Sequence, residues 1–422
     1  MAIINLPVMK YFIVLLICIL SINAKKVPSL DEQFRDFNWN SLYTSNNYDL
    51  VDNMLDRLTP IIINSVGPSK SNYVAPTPIY NCQDPRYSHL LTGRVLANPK
   101  TIIAFMPFFI ELELLEIRLY EHIGLVDYTI IYESTHTHRG RKKALFYNET
   151  KHLFEQFSVI HLLEGPYGGI EEINTYKDGG CSISSSPNEG CWAINQKMWE
   201  RGYTKFRQHS VFNQLYSQRE NTLVIVGDLD EIISRSAVAH LKYCEVKSLP
   251  IHGASNMYMR SFEWLYHSDF PTFNPKEVGN PLRQYSLAFP LITTLDRIIS
   301  ANSFTRYSDT HLYLPLNSGA HMTDFGGIVN FLYKRQSAAE GGIANLTPYL
   351  NDLIAHNYDH LENVFKSELA NNYRTVRRSQ FNFPSPSPSP PPPSTVEGGG
   401  GGEGLFIPWI VRADPLKYSH LF

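Results

Sequence analysis

The chain of 422 residues is 43% hydrophobic and 13% aromatic, enough apolar material for one large domain or two ordinary ones. This composition excludes a chain that is disordered throughout. The formal net charge is -3 and no basic block occurs, which argues against a nucleic-acid partner.

The N-terminus predicts entry into the secretory pathway. Residues 11–22 form an apolar run of twelve, too short to span a bilayer comfortably but suited to the core of a signal peptide. The alternative is a short, uncleaved type II membrane anchor. We therefore predict that residues 1–24 are a signal peptide or a signal anchor, with the remaining chain in the lumen. N-glycosylation sequons at Asn148 and Asn345 agree with that compartment.

Cysteine usage also fits an oxidising compartment. Apart from the cysteine of the N-terminal segment, the chain has four, which is an even number. Cys181 and Cys191 flank a loop rich in Ser, Gly, Pro and Asn, and they are the first predicted disulfide. A second disulfide, between Cys82 and Cys244, follows only by elimination.

Composition divides the remaining chain into four parts. Residues 25–97 are rich in Asn, Ser, Tyr and Pro with weak periodicity, which indicates a stem or an irregular N-terminal lobe. Residues 98–380 carry the regular pattern of a single catalytic domain. A Pro- and Gly-rich loop of low complexity follows at 381–404. Apolar and aromatic residues return at 405–422, so we expect this C-terminal segment to pack on the catalytic domain.

Strands and helices alternate through the first half of that domain. The predicted elements, in chain order, are strand 101–105, helix 108–123, strand 128–132, helix 149–157, strand 158–163, a helical region over about 192–217 and strand 222–226. Such alternation predicts an α/β domain with a Rossmann-type, mostly parallel sheet flanked by helices. The sequence lacks a Gly-x-Gly-x-x-Gly turn after the first strand, a Gly-Lys-Ser/Thr loop and a Gly-x-Ser-x-Gly elbow. Metal-assisted use of a phosphorylated ligand is the chemistry that remains.

Two carboxylates follow the last of these strands. Asp228 and Asp230 come directly after the apolar run 222–226, at the sheet edge where α/β proteins bind ligands. Two carboxylates on one turn can hold a hard divalent cation and leave its other positions open for phosphate oxygens. A sugar nucleotide needs such a cation, because its leaving group is a diphosphate whose growing charge must be neutralised. The alternative is that these acids cap the helix that begins near Ser234 or Ser236.

Four segments resemble glycosyltransferase family 17 and occur in the expected order: FFIELELLEIRLYEHIGLVDYTIIYES, THTHRGRKKALFY, LVIVGDLDEI and SGAHMTDFGGIVNFLYKRQSAAE. That family includes the β-1,4-mannosyl-glycoprotein β-1,4-N-acetylglucosaminyltransferases, which add the bisecting residue to N-glycans. The resemblance covers roughly 105–340, and 405–422 resembles the closing segment of the family. It implies a GT-A-like fold and an inverting transfer from a UDP-sugar with Mn²⁺ or Mg²⁺.

The resemblance also implies ligands for the metal ion. Asp230 binds the metal in this interpretation, and Asp228 contacts the metal or the ribose. His321 matches the histidine of a family Gly-Trp-His segment and is the predicted third ligand, because an imidazole suits Mn²⁺. The alternative for His321 is a hydrogen-bonded histidine of the core. Ala320 replaces the family tryptophan, and Ala339 replaces a family histidine, which leaves the acceptor in doubt.

Further residues match the family near the donor site. Glu133 ends a strand at the same sheet edge and is predicted to hold the ribose or the uracil; a surface cap is the alternative. Lys143 is predicted to counter the diphosphate, with an exposed, solubilising lysine as the alternative. For Glu111 and Arg118 we favour a structural ion pair or a role at a helix end.

An inverting transfer needs a carboxylate that takes the proton of the acceptor hydroxyl. Glu263, Asp269, Asp324 and Glu340 are the candidates. Glu263 lies in an aromatic segment that could stack on sugar rings or simply belong to the core. We favour Asp324, because its neighbour His321 is expected near the metal.

The family resemblance thus implies transfer of N-acetylglucosamine from UDP-GlcNAc to a mannose of an N-glycan or glycoprotein acceptor, in the Golgi lumen. One alternative keeps the fold with another UDP-sugar or acceptor. Another is a non-catalytic protein that binds a sugar nucleotide or a glycan.

Overall fold

The computed structural model of the protein describes residues 29–45, 48–66, 73–138, 141–164, 191–262, 264–266, 286–287, 290–300, 312–315, 317–337, 349–367, 373–375, 406–414 and 417–421. The predicted signal peptide or anchor, Glu263, Asp269, Glu340 and the loop 381–404 lie outside these residues. In the part of the chain that is described, no helix is long and apolar enough to cross a bilayer.

The elements are numbered in chain order. The strands are β1 Leu91–Val95, β2 Thr101–Phe108, β3 Tyr128–Ser134, β4 Val159–Glu164, β5 Thr222–Val226, β6 Glu231–Ile233, β7 Cys244–Val246, β8 Ile251–His252, β9 Ser255–Met259, β10 Trp264–Tyr266, β11 Ser286–Leu287, β12 Leu291–Thr294, β13 Gly319–Thr323 and β14 Tyr373–Thr375. The helices are α1 Leu30–Phe34, α2 Trp39–Ser45, α3 Tyr48–Ser65, α4 Leu112–His122, α5 Phe146–Thr150, α6 Cys191–Gln208, α7 Ser210–Tyr216, α8 Arg235–Tyr243, α9 Leu295–Ser300, α10 Gly327–Ser337, α11 Leu350–Ile354, α12 Tyr358–Ser367 and α13 Trp409–Ala413.

The central sheet has the strand order β4-β3-β2-β5-β12-β8 within the described residues. The first four strands are parallel, and β12 runs antiparallel to both β5 and β8. Helices cover both faces, because alternate side chains of β2 point to opposite sides. Ile103 and Phe105 pack in one core cluster with α6 and α7, whereas Ala104 and Met106 pack in another with α4. The predicted α/β class with a mostly parallel sheet flanked by helices is confirmed.

Two predicted helix boundaries were wrong. The helix predicted from residue 108 begins at Leu112, because β2 continues to Phe108, which lies opposite Glu133 in the parallel register with β3. The helix predicted over 149–157 is instead the short α5, followed by a 3₁₀ turn at Lys151–Leu153. Apolar residues that continue the helical stripe at the strand end caused the first error.

A second sheet lies directly after the Asp228–Asp230 turn. Its order is β14-β10-β9-β13-β6 in the described part of the chain, with β11 paired to β9. β13 is parallel to β9 and antiparallel to β6. The chain therefore leaves the central sheet at β5, turns through the two aspartates and enters the second sheet at β6. The sequence pattern did not predict this sheet, because strands of two to five residues show little periodicity.

The two ends of the described chain pack on the same core. Phe34, Leu55 and Leu58 of the N-terminal helices are buried in the largest core cluster, which also contains Ile410 and Val411 of α13. The weak periodicity of the N-terminal region did not predict its helices. The buried disulfide Cys82–Cys244 confirms the pair deduced by elimination, whereas Cys181 lies outside the described residues.

Helix α4 is buried on nearly all sides, including its charged residues. The C-terminal segment covers its acidic side: Lys417 Nζ lies 2.6 Å from both carboxylate oxygens of Glu116. The carboxylate of Glu121 accepts the backbone N–H groups of Trp409 and Arg235, at 2.8 and 2.7 Å. Each buried carboxylate thus has charged or polar partners that compensate for its lost hydration.

His122, at the end of α4, makes the stability of this core depend on pH. Its imidazole lies 2.9 Å from the carbonyl oxygen of Ile233, and burial lowers its pKa to about 3. The unfolded chain binds a proton near pH 6.5 and the folded chain does not, so stability falls as pH drops below about 6.5. We expect His122 to account for roughly 1 kcal/mol of the stability lost between pH 7.5 and 5.5.

Urea unfolding of the wild type and of His122→Gln at both pH values measures this contribution. Glutamine can still donate to the Ile233 carbonyl but does not titrate, so the variant should lose roughly 1 kcal/mol less than the wild type over this range. Equal losses in the two proteins would contradict the prediction.

Candidate functional site

A tight turn presents the two aspartates at the carboxyl end of β5. The backbone N–H of Asp228 donates to the carboxylate of Glu231 at 2.8 Å, and the N–H of Glu231 donates to the Asp228 carbonyl at 3.1 Å. A Cβ on Gly227 would lie 2.4 Å from both Glu231 Oε2 and Pro290 Cβ, so the turn needs glycine there. Glu231 is buried, and its carboxylate stabilises the turn through the hydrogen bond from the Asp228 N–H.

A buried arginine donates hydrogen bonds to the backbone of this turn. The Arg118 guanidinium donates through Nη1 to the carbonyl oxygens of Asp228 and Leu229, at 2.6 and 3.3 Å. Burial lowers the pKa of Arg118 to about 10, against the opposing effect of the charges of Glu231, Asp230 and Asp228. The guanidinium is therefore charged at neutral pH. Within the described residues, Arg118 forms neither the ion pair nor the helix-end contact favoured from the sequence; it positions the aspartate turn.

His321 reaches Asp230 because β13 pairs with β6. The N–H of Met322 donates to the Asp230 carbonyl at 2.9 Å, and His321 Nε2 lies 3.6 Å from Asp230 Oδ1. A Cβ on Gly319 would lie 2.5 Å from the Ile232 carbonyl oxygen, so glycine permits this close approach of the strands. The structure thus brings together two of the three predicted metal ligands from distant parts of the chain.

Electrostatics couple the two side chains. Burial disfavours the charged form of His321, but the charge of Asp230 and its contact with the ring favour that form, aided by Glu231 and Asp228. The net effect raises the pKa of His321. Its Nδ1 atom is buried and has no hydrogen-bond partner within the described residues. The role of His321 as a metal ligand stays a prediction, and so does the alternative of a hydrogen-bonded core histidine.

A lysine completes the local arrangement. Lys334 Nζ, on α10, lies 3.2 Å from Glu111 Oε1 and 3.5 Å from Asp230 Oδ2. Glu111 thus pairs with Lys334 across the site. The sequence pattern gave no sign of this lysine's position, since nothing local distinguishes it from any other helical lysine.

The side chains near Asp230 can be compared with the ligands that a divalent cation needs. Across the described residues, no group of three His, Cys, Asp or Glu side chains is placed to hold a metal. Asp230 and His321 nevertheless supply a carboxylate and an imidazole, which suit Mn²⁺, at a separation of 3.6 Å. Ligands about 2.1 Å from one cation lie within about 4 Å of each other, so this pair fits as two of its ligands. Asp228, which is partly exposed on the same turn, remains the predicted further ligand.

Glu133 and Lys143 lie together, at the carboxyl end of β3. Glu133 is fully buried; its carboxylate accepts the Tyr147 N–H at 3.1 Å and lies 3.0 Å from His161 Nε2 and 3.5 Å from Lys143 Nζ. Burial lowers the pKa of Lys143, against the opposing charge of Glu133. The alternatives of a surface cap and an exposed lysine were therefore wrong. Their roles at the ribose or uracil and at the diphosphate stay predictions.

Among the general-base candidates, Asp324 lies within the described residues. It follows β13, is buried and forms an ion pair with Arg335. Its φ of 57° lies in the left-handed region, which aspartate and asparagine tolerate better than most residues. Glu263 and Glu340 cannot be placed relative to it, so the identity of the base stays a prediction.

A mostly parallel α/β sheet flanked by helices, with a carboxylate turn at its carboxyl edge, is compatible with a glycosyltransferase domain. Residues 69–177 match the model of Glycosyltransferase family 17, which confirms the resemblance to that family. This match contains Arg118, Glu133 and Lys143 and ends before the aspartate turn. No curated protein matches the chain. The family supports glycosyl transfer as the general activity, from a sugar donor to a glycan acceptor.

Proposed function

We propose that the protein is a metal-dependent, inverting glycosyltransferase that moves N-acetylglucosamine from UDP-GlcNAc to a mannose of an N-glycan. The observation that carries this proposal is the Asp230–His321 pair, 3.6 Å apart at the ligand-binding edge of the sheet. The bisecting β-1,4 linkage and the choice of UDP-GlcNAc rest on the family resemblance.

Each residue of the site has a distinct part in this reaction. Asp230 and His321, with Asp228, would hold Mn²⁺ or Mg²⁺, which when bound neutralises the charge that develops on the diphosphate leaving group. Arg118 keeps the turn in place through the Asp228 and Leu229 carbonyls. A carboxylate, for which Asp324 is our choice, takes the proton of the acceptor hydroxyl during attack from the opposite face.

We also propose that the protein works in the secretory lumen, in the Golgi. The Cys82–Cys244 disulfide supports this, since disulfides persist in oxidising compartments. The apolar segment at residues 11–22 supports a signal peptide or a type II anchor.

Release of UDP from a panel of UDP-sugars tests the proposal, with and without Mn²⁺ and with a mannose-terminated N-glycan. We expect Mn²⁺-dependent release from UDP-GlcNAc that rises when the acceptor is added. Release from a different UDP-sugar would replace the donor and keep the reaction class. UDP binding without transfer to any acceptor of a broad glycan panel would favour the non-catalytic alternative.

A further inference from the structure

The ammonium of Lys334 lies between two nearly buried carboxylates. Its distances are 3.2 Å to Glu111 and 3.5 Å to Asp230, whose side chains are 10% and 9% exposed. The lysine side chain itself is 20% exposed, about twice the exposure of either carboxylate. Asp230 thus has His321 near one carboxylate oxygen and Lys334 near the other.

The position of Lys334 would affect how a divalent cation and a diphosphate bind next to Asp230. A divalent cation at Asp230 and the Lys334 ammonium are like charges beside one carboxylate, so each weakens the binding of the other. A diphosphate reverses this relation, because its oxygens accept hydrogen bonds from the ammonium and also bind the cation.

Lys143, the other lysine near this sheet edge, has a different environment. Its side chain is fully buried, and its ammonium lies 3.5 Å from Glu133, 3.3 Å from the Phe109 carbonyl and 3.1 Å from the Ala144 carbonyl. An incoming anion would have to compete with all three contacts. Lys334 is therefore the better placed of the two cations to meet an anion next to Asp230.

We propose that Lys334 binds the diphosphate of the nucleotide donor and thereby makes tight binding of the metal ion depend on that diphosphate. This inference rests on the proposed function, because it takes the ligand of the site to be a nucleoside diphosphate. Glu111, at the start of α4, holds the ammonium at the site before the ligand arrives.

Two binding measurements on the full chain test the proposal with Lys334→Met. Mn²⁺ alone, followed by electron paramagnetic resonance, should bind roughly fivefold more tightly, because a like charge has been removed. UDP at saturating Mn²⁺, followed by calorimetry, should bind about 10- to 100-fold more weakly, because a charge-assisted hydrogen bond is lost. Uridine, which has no phosphate, should bind both proteins equally. Lys334→Arg should retain most of the UDP affinity.

Lys242→Met is the matched control. The Lys242 ammonium also pairs with an aspartate, Asp127, at 2.7 Å, but Asp127 precedes β3 and therefore lies at the opposite edge of the sheet. Asp127 is 39% exposed, so water can solvate it once the lysine is removed. This variant should bind Mn²⁺ and UDP as the wild type does.

In Lys334→Met the expected changes in Mn²⁺ affinity and in UDP affinity have opposite signs. This distinguishes a lysine that binds the ligand from one that only supports the fold of the site. Weaker binding of both Mn²⁺ and UDP by Lys334→Met would show that Lys334 only supports the site, and would overturn the inference. Unchanged UDP affinity in this variant would overturn it as well, while leaving the proposed function standing. A wild-type protein that binds no UDP would overturn the proposed function and this inference together.

Discussion

Replacing Asp230 by asparagine is expected to lower kcat/KM for glycosyl transfer at least about a thousandfold. The variant keeps the shape of the side chain but loses the negative charge that faces His321 and Lys334. A catalytic metal contributes several kcal/mol to the transition state, and each 1.36 kcal/mol is a factor of ten in rate. Initial rates of UDP release at saturating Mn²⁺ measure the loss.

Asp352→Asn is the matched control for this variant. Asp352 also pairs with a histidine, His360, at 2.8 Å, but this pair joins α11 to α12 and includes no residue of the aspartate turn. The control should transfer sugar at the wild-type rate. If folded Asp230→Asn, shown by a cooperative melting transition, turned over nearly as fast as the wild type, the metal-dependent mechanism would be wrong.

Replacing Arg118 by methionine is expected to reduce both stability and activity. The change leaves the Asp228 and Leu229 carbonyls without their buried donor and removes a buried positive charge that interacts with the carboxylates of the turn. A buried acceptor that loses its donor costs roughly 1–3 kcal/mol. Loss of a residue that orients metal ligands costs about 10- to 100-fold in activity or metal affinity. Urea unfolding and kcat/KM under folding conditions measure the two effects.

Two further variants separate these effects. Arg118→Lys keeps the charge with fewer donors and should recover part of kcat/KM. Arg235→Met removes another buried arginine, one that donates to the carbonyls of Glu121 and Ile123 at the far end of α4. It should lose stability but keep the kcat/KM of its folded fraction. Equal kcat/KM for the folded fractions of Arg118→Met and Arg235→Met would show that Arg118 does not position the aspartate turn for the reaction.

The sequence by itself determined the four parallel strands of the central sheet and the place of the aspartates. A short, continuous apolar run followed by glycine is a local signal, and β5 occupies the predicted residues, all of them buried. The connections between the strands follow from general rules of α/β folds, so the parallel orientation of these four strands could also be predicted. Neither β8 nor the antiparallel β12 was predicted. The disulfide Cys82–Cys244 was deduced from the number of cysteines.

Only the tertiary structure decided which side chains surround Asp230. The strand β6 has three residues and pairs with β13, far along the chain, and so short a strand carries no periodic signal. That pairing brings His321 to Asp230, and α10 then brings Lys334 to the same carboxylate. The C-terminal segment likewise covers Glu116 of α4, and the aspartate turn binds Arg118. Burial of a charge depends on partners distant in sequence, and local patterns do not contain that information.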